Sequence, residues 1–108
     1  MEKPDLTYLN SITSGDKKNL VEIIELFFDQ VPEIQNNFNI ALNSRNFEEI
    51  SAIAHKAKSS VNIIGLKLLA EKLYTLEINA KKDKNFIECE KYVSDFKLVS
   101  NQAVIHLK

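Results

Sequence analysis

Between Asn46 and Gly65 the chain reads NFEEISAIAHKAKSSVNIIG. Asn46 is a residue type that caps helix N-termini, and Glu49, three positions on, is the partner that a capping box requires. Apolar Ile50, Ile53, Ala54, Ala57, Val61 and Ile64 then recur at helical spacing, and Gly65 is the residue type on which a helix ends. On a wheel of 100° per residue with Ile50 at zero, the other five fall within roughly 60° of it. The segment is therefore an amphipathic helix with one face in a core.

The rest of that wheel is polar. His55 lies at about 140°, Ser59 at about 180° and Asn62 at about 120°, so His55 is expected to face solvent. Lys58 at about 80° and Lys56 at about 240° bracket the imidazole with two ammonium groups. An exposed imidazole is partly neutral, and so nucleophilic, near neutrality, and flanking lysines would offset the charge of an anionic adduct. A metal site is not indicated, because the i±3 and i±4 neighbours of His55 are Ser51, Ala52, Lys58 and Ser59 and none is a good ligand. An ordinary solvated face with one histidine would give the same wheel.

Working outward, every other long segment has helical periodicity. Asp5 to Ile12 form a short opening turn, and Ser14-Gly15-Asp16 is a break with a capping residue. Leu20, Ile23, Ile24, Phe27, Phe28 and Val31 follow in helical register. Pro32 predicts a break near Val31, with Ile34, Phe38, Ala41 and Leu42 on a second segment; a kinked continuation would give the same pattern. Beyond Gly65, a helix carries Leu66, Leu69, Leu73, Leu76 and Ala80. Asp83-Lys84-Asn85 separates it from a last helix with Phe86, Cys89, Val93, Phe96, Ala103 and Leu107. Short polar connections force neighbouring helices to run in opposite directions, so the expected fold is all-α, an antiparallel four-helix bundle with a short N-terminal helix.

Composition agrees. A chain of 108 residues with 44% hydrophobic content suits one domain spanning 1–108. Two glycines and two prolines are too few for the turns of a many-stranded sheet. A formal net charge of −1 provides no basic field for nucleic acid. No apolar run of about 18 residues is present to span a membrane, and MEKPDLTYLN lacks the apolar core of a secretory signal. The single cysteine, Cys89, cannot form an intramolecular disulfide, and the expected location is the cytoplasm.

The run His55-Lys56-Ala57-Lys58-Ser59-Ser60-Val61-Asn62-Ile63-Ile64-Gly65 resembles the signature of histidine-containing phosphotransfer (HPt) domains. There the phospho-accepting histidine is followed by a hydrophobic residue two positions on, a lysine three on, a small residue four on and a glycine ten on. The resemblance extends through Leu66 to Glu77, and Asp5-Leu6-Thr7-Tyr8-Leu9 and Phe27-Phe28-Asp29-Gln30-Val31-Pro32-Glu33 are similar to the early helices of the family. The family often has glycine where Ser59 stands and a larger aliphatic where Ala57 stands; the replacements keep the small and apolar character of the two positions.

The resemblance implies a phosphorelay carrier without kinase activity. His55 accepts a phosphoryl group from a receiver-domain aspartate and passes it to another response regulator, and Lys58 stabilises the phosphate. Lys56, Ser59, Asn62, Gly65, Lys67 and Glu71 are expected on the surface that meets receivers, including those of hybrid histidine kinases. No cofactor is expected on this chain, the Mg²⁺ belonging to the receiver. The expected state is a monomer, and Met1 is compatible with a free protein or with a domain excised from a larger kinase.

Two other functions compete. A non-transferring adaptor would bind receivers or partner helices through the same bundle, but would not need both His55 and Lys58. A histidine kinase would need a nucleotide site, and Gly15 and Gly65, the only glycines, do not make a phosphate loop. His106, in the terminal turn, reads as a surface residue or a partner of the helix dipole, and Cys89 as core. Phe27 and Phe28 read mainly as core, with one of them a candidate for an exposed docking patch.

Overall fold

The computed structural model describes residues 1–108. It contains α1 (Thr7–Ile12), α2 (Lys17–Asn43), α3 (Phe47–Ile63), α4 (Lys67–Lys82) and α5 (Phe86–Leu107), with no strand. The caps follow from side-chain chemistry. Asp16 accepts hydrogen bonds from the backbone N–H of Lys18 at 3.0 Å and of Asn19 at 3.3 Å. Asn46 accepts from Glu49 N–H at 3.0 Å, and Asn85 from Glu88 N–H at 3.1 Å. Each cap satisfies backbone donors that the first helical turn leaves free.

The break expected at Pro32 does not occur, because α2 runs unbroken through it for 27 residues. Proline in a helix interior removes one backbone bond and costs about 3 kcal/mol. Phe27 and Val31 before it and Phe38, Ala41 and Leu42 after it are all buried in the same core. Burying one such side chain contributes about 1.5–3 kcal/mol, so packing on both sides outweighs the local penalty. Pro32 itself is exposed.

Helices α2 to α5 close a ring in which α2 packs on α3, α3 on α4, α4 on α5 and α5 on α2. A cluster of 22 buried residues fills the ring, with Phe38 and Phe96 meeting edge to face at 5.5 Å between centroids. Cys89 is buried there and His106 is exposed in the last turn of α5. The most extensive packing is between α3 and α4, which share a tight turn. Gly65 adopts φ +77°; its N–H donates to Asn62 O and the N–H of Leu66 to Val61 O, each at 3.0 Å. This is the Schellman arrangement that a left-handed residue permits.

An N-terminal strap lies across the turn. Asp5 N–H donates to Ile64 O at 3.0 Å, and a Cβ on Gly65 would lie 1.9 Å from Asp5 O. Gly65 is thus required both by its left-handed backbone and by the passage of another chain segment. Gly65 is buried under the strap, at the edge of the cleft that Ser59, Asn62 and Lys67 also line. The N-cap of α4, Leu66, has no side-chain cap. The Glu2 carboxylate supplies one, accepting from the N–H groups of Leu68 and Leu69 at 2.8 Å each.

Candidate functional site

The α3 stripe of Ile50, Ile53, Ala54, Ala57 and Val61 is buried, which turns the opposite face outward as the wheel requires. His55 presents a side chain 68% exposed, and Lys56, Ser59 and Asn62 are exposed beside it. Across the interhelical seam Ser51 Oγ donates to the backbone carbonyl of Glu77 at 2.9 Å. That bond fixes the level at which α4 passes α3, and it brings Glu77 to the imidazole.

His55 Nδ1 lies 3.0 Å from Glu77 Oε2. A carboxylate only accepts, so Nδ1 donates its proton to Glu77, and Nε2 makes no hydrogen bond within the chain. Lys58 Nζ lies 2.7 Å from the other oxygen, Oε1, and 4.8 Å from the centre of the Tyr74 ring. The side chains of Lys58 and Glu77 are 21% and 13% exposed. Burial opposes ionisation of Glu77. The hydrogen bond and charge of Lys58, followed by those of His55, outweigh it and hold the carboxyl below the usual glutamate value. The arrangement is a relay of ammonium, carboxylate and imidazole in which only the imidazole is well exposed.

Glu77 is the functional residue that reading α3 alone overlooks. It stands 22 positions from His55, outside any i±4 neighbourhood. The signal lies in the hairpin: His55 is ten residues before the turn at Gly65, Glu77 is twelve after it, and Glu77 is the only acid between Lys72 and Lys82. Antiparallel helices bring residues at similar distances from their turn to the same level.

Two clefts adjoin the histidine. One of about 420 Å³, between α2 and α3, is shared by His55, Lys56, Ser59 and Gln30 with Leu26 and Ile63. The next, of about 670 Å³, brings Ser59, Asn62 and Lys67 together with Tyr8 of α1. Phe27 is buried, while Leu26 and Tyr8 are the large exposed apolar side chains here. Glu71 is exposed one turn after Lys67 on α4 and lines a cleft between α4 and α5 with Leu68 and Asp95. Nowhere do three or more histidine, cysteine, aspartate or glutamate side chains gather in a geometry that could hold a metal ion. No helix is long and apolar enough to cross a membrane.

Among curated proteins and among solved structures, no significant match to this chain is found. The family model described as Hpt domain matches residues 22–99, most of the chain, from within α2 to within α5, with His55, Lys58 and Glu77 inside. A five-helix chain with an exposed histidine on α3, covered over most of its length by that model, belongs to the Hpt domain family, whose members carry phosphoryl groups on histidine in phosphorelays.

Proposed function

We propose that His55 is the phospho-acceptor and that the chain carries a phosphoryl group between the receiver domains of two response regulators. The observation that carries this reading is the exposed imidazole whose Nδ1 is tied to Glu77 at 3.0 Å. The Nε2 lone pair attacks the phosphorus of a receiver's aspartyl phosphate, the Nε2–P bond forms, and the P–O electron pair leaves with the aspartate. The ring becomes cationic, and Glu77 stands against its Nδ1–H to balance that charge. In the onward transfer the same proton makes the imidazole a good leaving group. Nothing in this cycle needs a nucleotide, so the chain acts as a carrier rather than an enzyme, and the Mg²⁺ is the receiver's.

Lys58 serves this cycle chiefly through Glu77. The ammonium at 2.7 Å from Oε1 keeps the Glu77 carboxylate ionised and fixed in place, and a fixed carboxylate holds the imidazole by Nδ1. The receiver docks over His55, Ser59, Asn62 and Lys67, where Leu26, Ile63 and Tyr8 supply apolar contact area. The chain works as a monomer, since one copy closes the four-helix ring, and in the cytoplasm, where a free buried Cys89 is at home.

The test mixes the chain with a panel of phosphorylated receiver domains and follows label onto it. Transfer to the native chain is expected from at least one receiver and none to His55→Gln, whose stability should stay within about 0.5 kcal/mol of native. A His55→Gln chain that takes up label normally would overturn the assignment.

A further inference from the structure

The two flanks of the His55 imidazole differ in chemistry. On the α4 flank stands the Glu77 carboxylate, and the Lys58 ammonium is already answered by it at 2.7 Å. On the α2 flank, the cleft of about 420 Å³ has no aspartate or glutamate in its lining. Ser60 Oγ donates to Gln30 Oε1 there at 2.9 Å, and Ile23, Leu26 and Phe27 of α2 add no charge. The Ser59 hydroxyl and Lys56 ammonium share the cleft and have no hydrogen bond or ion pair within the chain. Lys56 also borders a neighbouring cleft with Glu33 and Glu49, and it is paired with neither.

Direction along the helix matters as well. Side chains on a helix lean toward its N-terminus, so a residue covers the turn before its own Cα. His55 leans back to the level of Ser51 and Glu77, where Nδ1 is engaged, and Ser59, one turn on, leans back over His55. A dianion placed on Nε2 would face a carboxylate on the α4 flank and two unpartnered donors on the other.

Resting on His55 as the acceptor, we propose that its phosphoryl group is received in the α2–α3 cleft, where the Ser59 hydroxyl and the Lys56 ammonium donate to its oxygens. Lys58 remains with Glu77. Both donors hold the dianionic form of the phosphoryl group, so losing either makes the group easier to protonate.

The chain is phosphorylated with potassium phosphoramidate, whose P–N bond breaks with loss of ammonia as the Nε2–P bond forms, so no receiver is needed. The protonation midpoint of the phosphoryl group is then followed by ³¹P NMR. Lys56→Ala and Ser59→Ala should each raise it by about half a pH unit, the size of one exposed charged or hydrogen-bonded contact. Lys82→Ala, at the far end of α4, is the control for a remote charge. Lys58→Ala combined with Glu77→Gln, which removes a neutral pair, should move the midpoint less than Lys56→Ala. If neither Lys56→Ala nor Ser59→Ala exceeds the control, the proposal is overturned; a midpoint displaced only by loss of the pair places the phosphoryl group on the α4 flank. If a native chain given phosphoramidate acquires no phosphohistidine at residue 55, the acceptor assignment itself fails, an outcome distinct from an unmoved midpoint.

Discussion

His55 and Glu77 sit on different helices and meet at 3.0 Å through Nδ1, while Lys58, on the histidine's own helix, meets the same carboxylate at 2.7 Å. The lysine three positions after the histidine is therefore bound to the carboxylate that orients the imidazole.

Lys58→Ala should separate action through Glu77 from direct contact with phosphate. Without the ammonium, Glu77 loses its partner at 2.7 Å and holds Nδ1 less firmly, so acceptance should slow several-fold. Glu77→Gln should slow it by a similar factor, and Lys58→Ala combined with Glu77→Gln should slow it no further. Single-turnover transfer from a phosphorylated receiver is the measurement, and losses that add in the double variant would show Lys58 acting on the phosphoryl group directly.

Acid should dismantle the relay from Glu77 outward. Its carboxyl titrates below the usual glutamate value of 4.5 in the folded chain, so the unfolded chain binds the proton more readily. The corresponding stabilisation is complete above the unfolded value and is lost as pH falls through the lower, folded value. Thermal melts from pH 7 to pH 3 should show native and Glu77→Gln chains converging below about pH 4. A stability gap between them that persists unchanged to pH 3 would mean that the Glu77 charge contributes nothing.

Bulk placed one turn from His55 should obstruct a receiver more than it disturbs the fold. Ser59 is exposed, so Ser59→Trp should weaken docking and transfer at least ten-fold while stability changes by under about 0.5 kcal/mol. Ser94, exposed on α5 beside α2, is the control position for the same replacement. Native-rate transfer by Ser59→Trp would show that the receiver approaches from another side.

The two glycines allow a comparison at nearly equal backbone angle. Gly15 has φ +76° with nothing within 4 Å of an added Cβ, and Gly65 has φ +77° with Asp5 O at 1.9 Å. Gly15→Ala should cost about 1–2 kcal/mol, the strain of a left-handed alanine. Gly65→Ala carries that strain and displaces the strap as well, so its melting temperature should fall further. Equal losses at the two positions would show that the strap yields freely.

What could be read from the sequence, and what could not, divides by distance along the chain. Asn46, the Ile50 to Ile64 stripe and the outward face of His55 follow from spacing within one helix, and they stand as read. Pro32 was a local rule overruled by the burial of Phe27, Val31 and Phe38 on both sides of it. Glu77 stayed hidden because its meaning depends on how two helices align after the turn, a tertiary property. Gly65 displayed its helix-ending role openly, but the passage of Asp5 over it has no local trace. Glu71 follows Lys67 by one turn of α4, as read, while the cleft it shares with Asp95 of α5 depends on how those two helices pack.

The capping of α4 by Glu2 joins backbone donors to an acceptor 66 and 67 positions away. The first turn of that helix is consequently not an autonomous fraying end. Hydrogen exchange at the amides of Leu68 and Leu69 is governed by detachment of a short segment that has no helical bonds of its own. The same segment is bonded to Ile64 O at the end of α3, so its release would loosen both helix ends of the hairpin together.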